Sequence, residues 1–168
     1  MKKLLLTAVA VSAISATPAM ADDKADLSIK GNIALACTVT PDERDVVVDL
    51  NLTTEQGAGS LTYRCNGANG FTRTIASDNS GQLNNASGAS RGFVPYTITH
   101  GGGSGLAIGT PVSLATPFTT TLASSAAFVN GQTGSLRLIL AKPASATNAN
   151  PLFAGDYTDV IRVSITAN

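Results

Sequence analysis

The sequence has no tryptophan and few other aromatic residues, with three tyrosines and five phenylalanines in 168 residues. Aromatic rings supply much of the lining of small-molecule pockets, and sugar-binding sites stack their ligands on them. The scarcity therefore argues against a carbohydrate site built on stacked rings.

Charged residues are also scarce, and the two signs balance, with eleven basic and eleven acidic side chains. Chains that bind nucleic acid or anionic membranes carry an excess of lysine and arginine, which this one lacks. We therefore expect no nucleic-acid partner. Glycine, alanine, serine, threonine and asparagine fill positions where a typical surface is charged.

Long hydrophobic runs are missing, apart from one near the N-terminus. Residues 1–21, MKKLLLTAVAVSAISATPAMA, combine two lysines, an apolar stretch and a small-x-small ending. This pattern is typical of a secretory signal peptide cut before Asp22. The apolar stretch is shorter than the roughly 20 residues of a membrane span. We therefore expect residues 22–168 to be exported.

Cysteine and histidine are too few for a metal centre, since two cysteines and one histidine cannot complete a tetrahedral zinc site. We expect no metal and no cofactor. In an exported chain, Cys37 and Cys65 predict an intramolecular disulfide. They lack the Cys-x-x-Cys spacing of a redox pair.

What the sequence does contain is a series of short β-branched runs separated by turn signals. They predict strands near 27–38, 44–50, 60–66, 70–77, 92–99, 111–121, 134–141 and 156–166. Residues 78–91 and 142–155 are predicted as polar loops, and no helix longer than a single turn is expected. Many short strands at this spacing predict one all-β domain, an antiparallel sandwich or barrel.

Two short motifs resemble those of esterases. Residues 88–92 fit G-x-S-x-G, and residues 100–103 fit the HGGG oxyanion pattern. The first motif needs a helix directly after Ser90, and none is predicted. The single histidine, His100, also stands in the wrong order for a triad. We therefore expect no catalytic residues and a protein that is not an enzyme.

Clustered carboxylates offer a second enzymatic interpretation. Asp42, Glu43 and Asp45 lie near one turn, and Asp156 and Asp159 flank Tyr157. Paired carboxylates can hydrolyse glycosides. Without aromatic residues for sugar stacking, we interpret them as solvated turn residues.

The two ends of the exported chain alternate strongly between apolar and polar residues. The positions in phase are Leu27, Ile29, Gly31, Ile33 and Leu35 near the front, and Ile161, Val163 and Ile165 near the end. A period of two predicts strands with one buried face. Natural proteins protect such edges with proline or inward charge. Neither strand has a proline or an inward charge, because Lys30 and Arg162 alternate with the apolar positions and point to the polar face. Both ends are therefore predicted to pair with another strand.

Four stretches carry a family resemblance. They are LSIKGNIALACTVTP (27–41), SLTYRCNGANGFTRTIASD (60–78), RGFVPYTIT (91–99) and AGDYTDVIRVSITAN (154–168). Together they resemble the spore coat U-type pilin domain of rod subunits in archaic chaperone–usher pili. Residues 154–159, followed by an alternating strand, are the most specific match, whereas 101–150 resembles nothing in particular.

The resemblance implies an incomplete immunoglobulin-like β-sandwich, residues 35–168, that lacks its last strand. Residues 22–34 would be a donor strand, with Leu27, Ile29, Gly31, Ile33 and Leu35 entering the groove of a neighbouring copy. Ile161, Val163 and Ile165 would line the acceptor groove, which a periplasmic chaperone covers before assembly. The partners implied are an outer-membrane usher and further subunits joined head to tail. The product is a surface pilus that supports adhesion and biofilm formation.

Two alternatives remain open at this point. A secreted binding module or tip adhesin would recognise a surface ligand through its loops, although a tip subunit needs no donor segment. Residues 27–37 could also be an ordinary first strand that pairs within its own sheet.

Overall fold

The computed structural model describes residues 26–141 and 151–168, and the chain divides into two units after Ile33. The predicted signal peptide and residues 142–150 of the predicted second loop lie outside the described residues. In the first unit, residues 26–33 form no strand. Within the described ranges, no helix has the length and apolarity needed to span a membrane.

The second unit, Ala34–Asn168, contains all ten strands of the described chain. Their bounds are β1 Cys37–Pro41, β2 Gln56–Cys65, β3 Phe71–Ser77, β4 Gln82–Asn85, β5 Phe93–His100, β6 Ile108–Ser113, β7 Phe118–Leu122, β8 Gln132–Leu140, β9 Tyr157–Thr158 and β10 Ile161–Ala167. A short helix, α1 Ala126–Asn130, and a 3-10 helix, Ala89–Arg91, complete the elements described. Every strand pair is antiparallel, which confirms the predicted all-β antiparallel fold.

The strands form two sheets. One has the order β1-β2-β8-β5-β4-β9, with β6 also paired to β5, and the other has the order β10-β3-β7. Apolar side chains of both sheets share one core, because Ile75 of β3 packs in the same cluster as Ile98 of β5 and Leu138 of β8. The domain is therefore a β-sandwich.

The burial of β3 shows why these segments become strands. Phe71, Arg73 and Ile75 face the core and are almost completely buried, whereas Thr72 and Thr74 point to the opposite face. Alternation of this kind gives a strand one face that must be covered by the other sheet.

One strand prediction and one loop prediction are wrong, and both errors come from tertiary context. Residues 44–50, with three consecutive valines, form no strand. Instead, the Gln56 side chain accepts a hydrogen bond from Asp49 N at 2.7 Å and donates one to Asp49 O at 2.9 Å. These two hydrogen bonds fix a turn there. Conversely, β4 lies inside the predicted polar loop 78–91. Leu83 is its only buried aliphatic residue, and a single apolar residue does not produce a recognisable alternation of apolar and polar positions.

Three other predicted strands have different limits. The strand expected over 156–166 is two strands, because β9 pairs in the larger sheet and β10 in the smaller one. The strand expected over 27–38 begins only at Cys37. The strand expected over 111–121 is two strands, because β6 pairs in the larger sheet and β7 in the smaller one. The connection between them contains Pro117, which has no backbone N–H for a ladder.

The predicted disulfide between Cys37 and Cys65 is confirmed. The two residues are direct partners in the β1–β2 register, so the bond fastens an edge strand to its neighbour. They stand 28 positions apart in the chain.

Removing this disulfide is expected to lower the free energy of unfolding by about 3.5 kcal/mol, because the unfolded chain regains the entropy of an open loop. Urea unfolding of the Cys37→Ala, Cys65→Ala double variant measures the loss. Reductant should destabilise the wild type and leave the double variant unchanged. A wild type that loses nothing on reduction contradicts the expectation.

Candidate functional site

Strand β10 is an edge strand. Within the described residues it pairs only with β3, from Ile161 opposite Ser77 to Ala167 opposite Phe71. Strand β1 is an edge of the other sheet and lies next to β10. The two sheets therefore end side by side, and each presents backbone groups that can pair with a further strand.

The inward side chains of β10 are less buried than those beside them. On β3, the inward residues Phe71 and Ile75 are 0% exposed. Ile161, Val163 and Ile165 face the same layer but are only half-buried. Because β10 lies at the edge, no strand of residues 26–141 and 151–168 covers one side of this apolar row. We call this row and the edge beside it the β10 groove.

The β10 groove connects the two apolar clusters of the domain. Ile161 packs against the cluster around Ile98, Ile165 packs against the cluster around Tyr63, and Val163 contacts both. A strand laid along β10 would therefore extend the core over its full length.

At its Ile161 end, the groove opens into a cavity of about 280 Å³. Its floor includes Leu61, Leu83, Tyr96, Leu136 and Leu138. One wall is the start of β10, and the other wall comes from segment 43–48. An apolar cavity of about 150 Å³ is enough to hold benzene. This one has room for a large aliphatic side chain.

Asp159 fixes the start of β10. Its carboxylate accepts hydrogen bonds from Ser77 Oγ at 2.6 Å, Asn79 N at 3.0 Å, Tyr96 Oη at 2.5 Å and Val160 N at 2.7 Å. The interpretation of Asp159 as a solvated turn residue is therefore wrong. The sequence gives no sign of these donors, since three of them come from distant positions.

Two of the three carboxylates near Pro41 lie on the opposite wall. Glu43 and Asp45 line the same cavity as Asp159. Asp42 accepts from the backbone N–H of Ser60 at 2.6 Å, and this hydrogen bond lowers the pKa of Asp42 below its usual value. Among residues 26–141 and 151–168, no group of three or more histidine, cysteine, aspartate or glutamate side chains could hold a metal ion.

The predicted donor residues are exposed. Leu27, Ile29 and Ile33 are 84%, 86% and 87% exposed, and Leu35 is 64% exposed. Nothing lies within 4 Å of where a Cβ on Gly31 would stand. Because residues 26–33 form no strand and lie outside the unit that holds the sheets, the alternative that this segment is an ordinary first strand of its own sheet is wrong over that range.

No protein-family model matches this chain, and a search of curated proteins found no match either.

The esterase-like motifs are not brought together. Ser90 lies in the exposed 3-10 helix before β5, whereas His100 is buried at the far end of that strand. His100 Nε2 is 3.0 Å from Tyr63 Oη, and its Nδ1 is 2.6 Å from Gly101 O. Ser90 and His100 therefore do not form a nucleophile–base pair, which requires direct hydrogen-bond contact.

We expect the free energy of unfolding to depend on pH through His100. Burial, aided by the nearby Arg73 guanidinium, lowers the pKa of His100 from 6.5 to about 4. Between these values the unfolded chain binds a proton that the folded chain does not, so stability falls as the pH decreases. The expected loss approaches about 3 kcal/mol at pH 4.

Urea unfolding of the wild type and of His100→Gln, at pH 7 and pH 4.5, measures this effect. Carboxylates contribute to the pH dependence of both proteins, so the difference between the two slopes isolates His100. Parallel slopes would contradict the assignment.

Proposed function

We propose that this protein is a structural subunit of a surface fibre, a pilus, in which each copy completes its β-sandwich with the N-terminal segment of another copy. The observation that carries the proposal is the half-buried row Ile161, Val163 and Ile165 on an edge strand whose outer side pairs with no strand of the described chain. On this proposal the domain is an immunoglobulin-like sandwich without its last strand.

The chemistry is that of strand addition. The backbone N–H and C=O groups along the free edge of β10 would form a ladder with the incoming segment, and alternate side chains would enter the groove. Leu27, Ile29 and Ile33 supply apolar side chains at this spacing, and all three are exposed. The cavity beside Ile161 supports the proposal, because it offers space for one of them.

Head-to-tail polymerisation follows from the chemistry of the two surfaces. The donating segment and the receiving groove are different parts of the chain, so the contact is heterologous and builds an open fibre. An exposed apolar groove is an aggregation hazard before assembly. A periplasmic chaperone that covers it and an outer-membrane usher are therefore part of the proposal, as is a role of the fibre in adhesion and biofilm formation.

The test is the behaviour of the full chain recovered from the cell surface. Unheated samples in SDS should form a ladder of multiples, since strand addition buries a large apolar surface. Heating should convert the ladder to monomer. Reductant alone should not, because the disulfide lies within one chain. Monomer as the only species before heating would contradict the proposal.

A further inference from the structure

The side chain of Asn66, directly after β2, holds the backbone just before β1. Asn66 Oδ1 accepts a hydrogen bond from Ala36 N at 2.7 Å, and Asn66 Nδ2 donates one to Ala34 O at 2.8 Å. The backbone N–H of Asn66 also donates to Ala36 O at 3.1 Å. These three bonds continue the β1–β2 pairing past the disulfide, first by backbone and then by side chain.

Leu35 lies between the two residues that Asn66 holds. A Cβ on Gly67 would stand 3.4 Å from Leu35 Cδ1, so the Leu35 side chain lies against Gly67 of its own domain. The chain also divides into its two units directly before Ala34. Residues 34–36 therefore belong to the domain that carries them.

The remaining segment is long enough for the groove without Leu35. Residues 26–33 have in-phase positions at 27, 29, 31 and 33, and β10 has inward positions at 161, 163, 165 and 167. At about 3.4 Å per residue, eight residues extend about 27 Å and the seven of β10 about 24 Å. Four donor positions thus match four acceptor positions.

We propose that Asn66 is the positioning residue of the donor segment: it fixes residues 34–36 on the donating domain, so the strand given to the neighbour ends at Ile33. This inference rests on the proposed function. It places Leu35 outside the donor strand, in contrast to the prediction from sequence. It also leaves no free linker between a domain and the strand it donates, so neighbouring subunits keep a defined angle.

The first experiment compares fibres of the full-length wild type, Asn66→Ala and Asn66→Asp by electron microscopy. Alanine removes both side-chain bonds, and aspartate keeps the acceptor for Ala36 N but sets an oxygen against Ala34 O. We expect both variants to form fibres whose persistence length is reduced at least twofold. Asn69→Ala, in the same turn, makes none of these bonds and should match the wild type.

The second experiment uses synthetic peptides as competitors of full-chain assembly. Peptides 22–33 and 22–36 should inhibit with equal potency within twofold, and Ile33→Ser in the shorter peptide should weaken it at least tenfold. Leu35→Ser in the longer peptide should change little.

The outcomes separate this inference from the proposed function. A tenfold advantage of peptide 22–36 over 22–33 would overturn the inference, and so would Asn66→Ala fibres as stiff as the wild type. A wild type that forms no fibres, and whose groove no peptide enters, would instead overturn the proposed function.

Discussion

Ile161→Asp is expected to abolish assembly of the chain into fibres. Ile161 faces the groove at its cavity, and an aspartate there would lose its hydration when the donor strand covers it. Burial of one large apolar side chain contributes about 1.5–3 kcal/mol, which this substitution also removes. The ladder on unheated gels should vanish, and electron microscopy should show no fibres.

Ser164→Asp is the matched control. Ser164 lies on the same strand with its side chain exposed on the outer face, so the same charge enters without blocking the groove. This variant should assemble as the wild type does. Fibres of normal yield from Ile161→Asp, or equal failure of both variants, would refute the assignment of the groove.

Deletion of residues 22–33 is expected to give a chain that accepts a strand but donates none. Alone, it should form no fibres, because no copy can complete another. Mixed with the wild type, it should shorten the fibres in proportion to its share, since each incorporated copy ends the chain of donations. Fibre length distributions in electron micrographs measure both effects.

Two triple variants control for the length of the segment. Leu27→Ser, Ile29→Ser, Ile33→Ser keeps the length and removes the apolar side chains, so it should behave like the deletion. Ser28→Ala, Lys30→Ala, Asn32→Ala changes the opposite phase and should assemble. A deleted chain that still enters long fibres at full length would disprove donation. If it keeps full surface binding without affecting fibre length, the tip-adhesin alternative gains support.

The parts of the fold that the sequence predicts are those with a buried apolar period. Strands β3, β5 and β8 carry alternating Phe, Ile, Val, Tyr or Leu residues, and their predicted positions agree with the structure within a few residues. Strand β4 is not predicted from the sequence, because it forms through its pairing with β5 more than through its own composition. Residues 44–50 are the opposite case. They are rich in β-branched residues, but no strand edge in the described chain pairs with them, and they form no strand.

The candidate site, too, can be predicted from the sequence only in part. The period of two finds the inward row of β10 and the apolar positions of the N-terminal segment. It cannot find the wall formed by segment 43–48, the donors around Asp159 or the hydrogen bonds of Asn66. Each depends on residues brought together from distant parts of the chain, as Asn66 and Ala34 are. The limit of the proposed donor strand, which the sequence places at 34, would depend on such a contact.

The covalent bond between Cys37 and Cys65 has a mechanical consequence for a fibre under tension. In the proposed fibre, a pull would enter each domain where the donated segment joins β1, and β1 is an edge strand that pairs only with β2 in the described chain. Hydrogen bonds alone would let such a strand peel away one residue at a time. With the disulfide at its first residue, the load passes directly into β2, in the interior of the larger sheet.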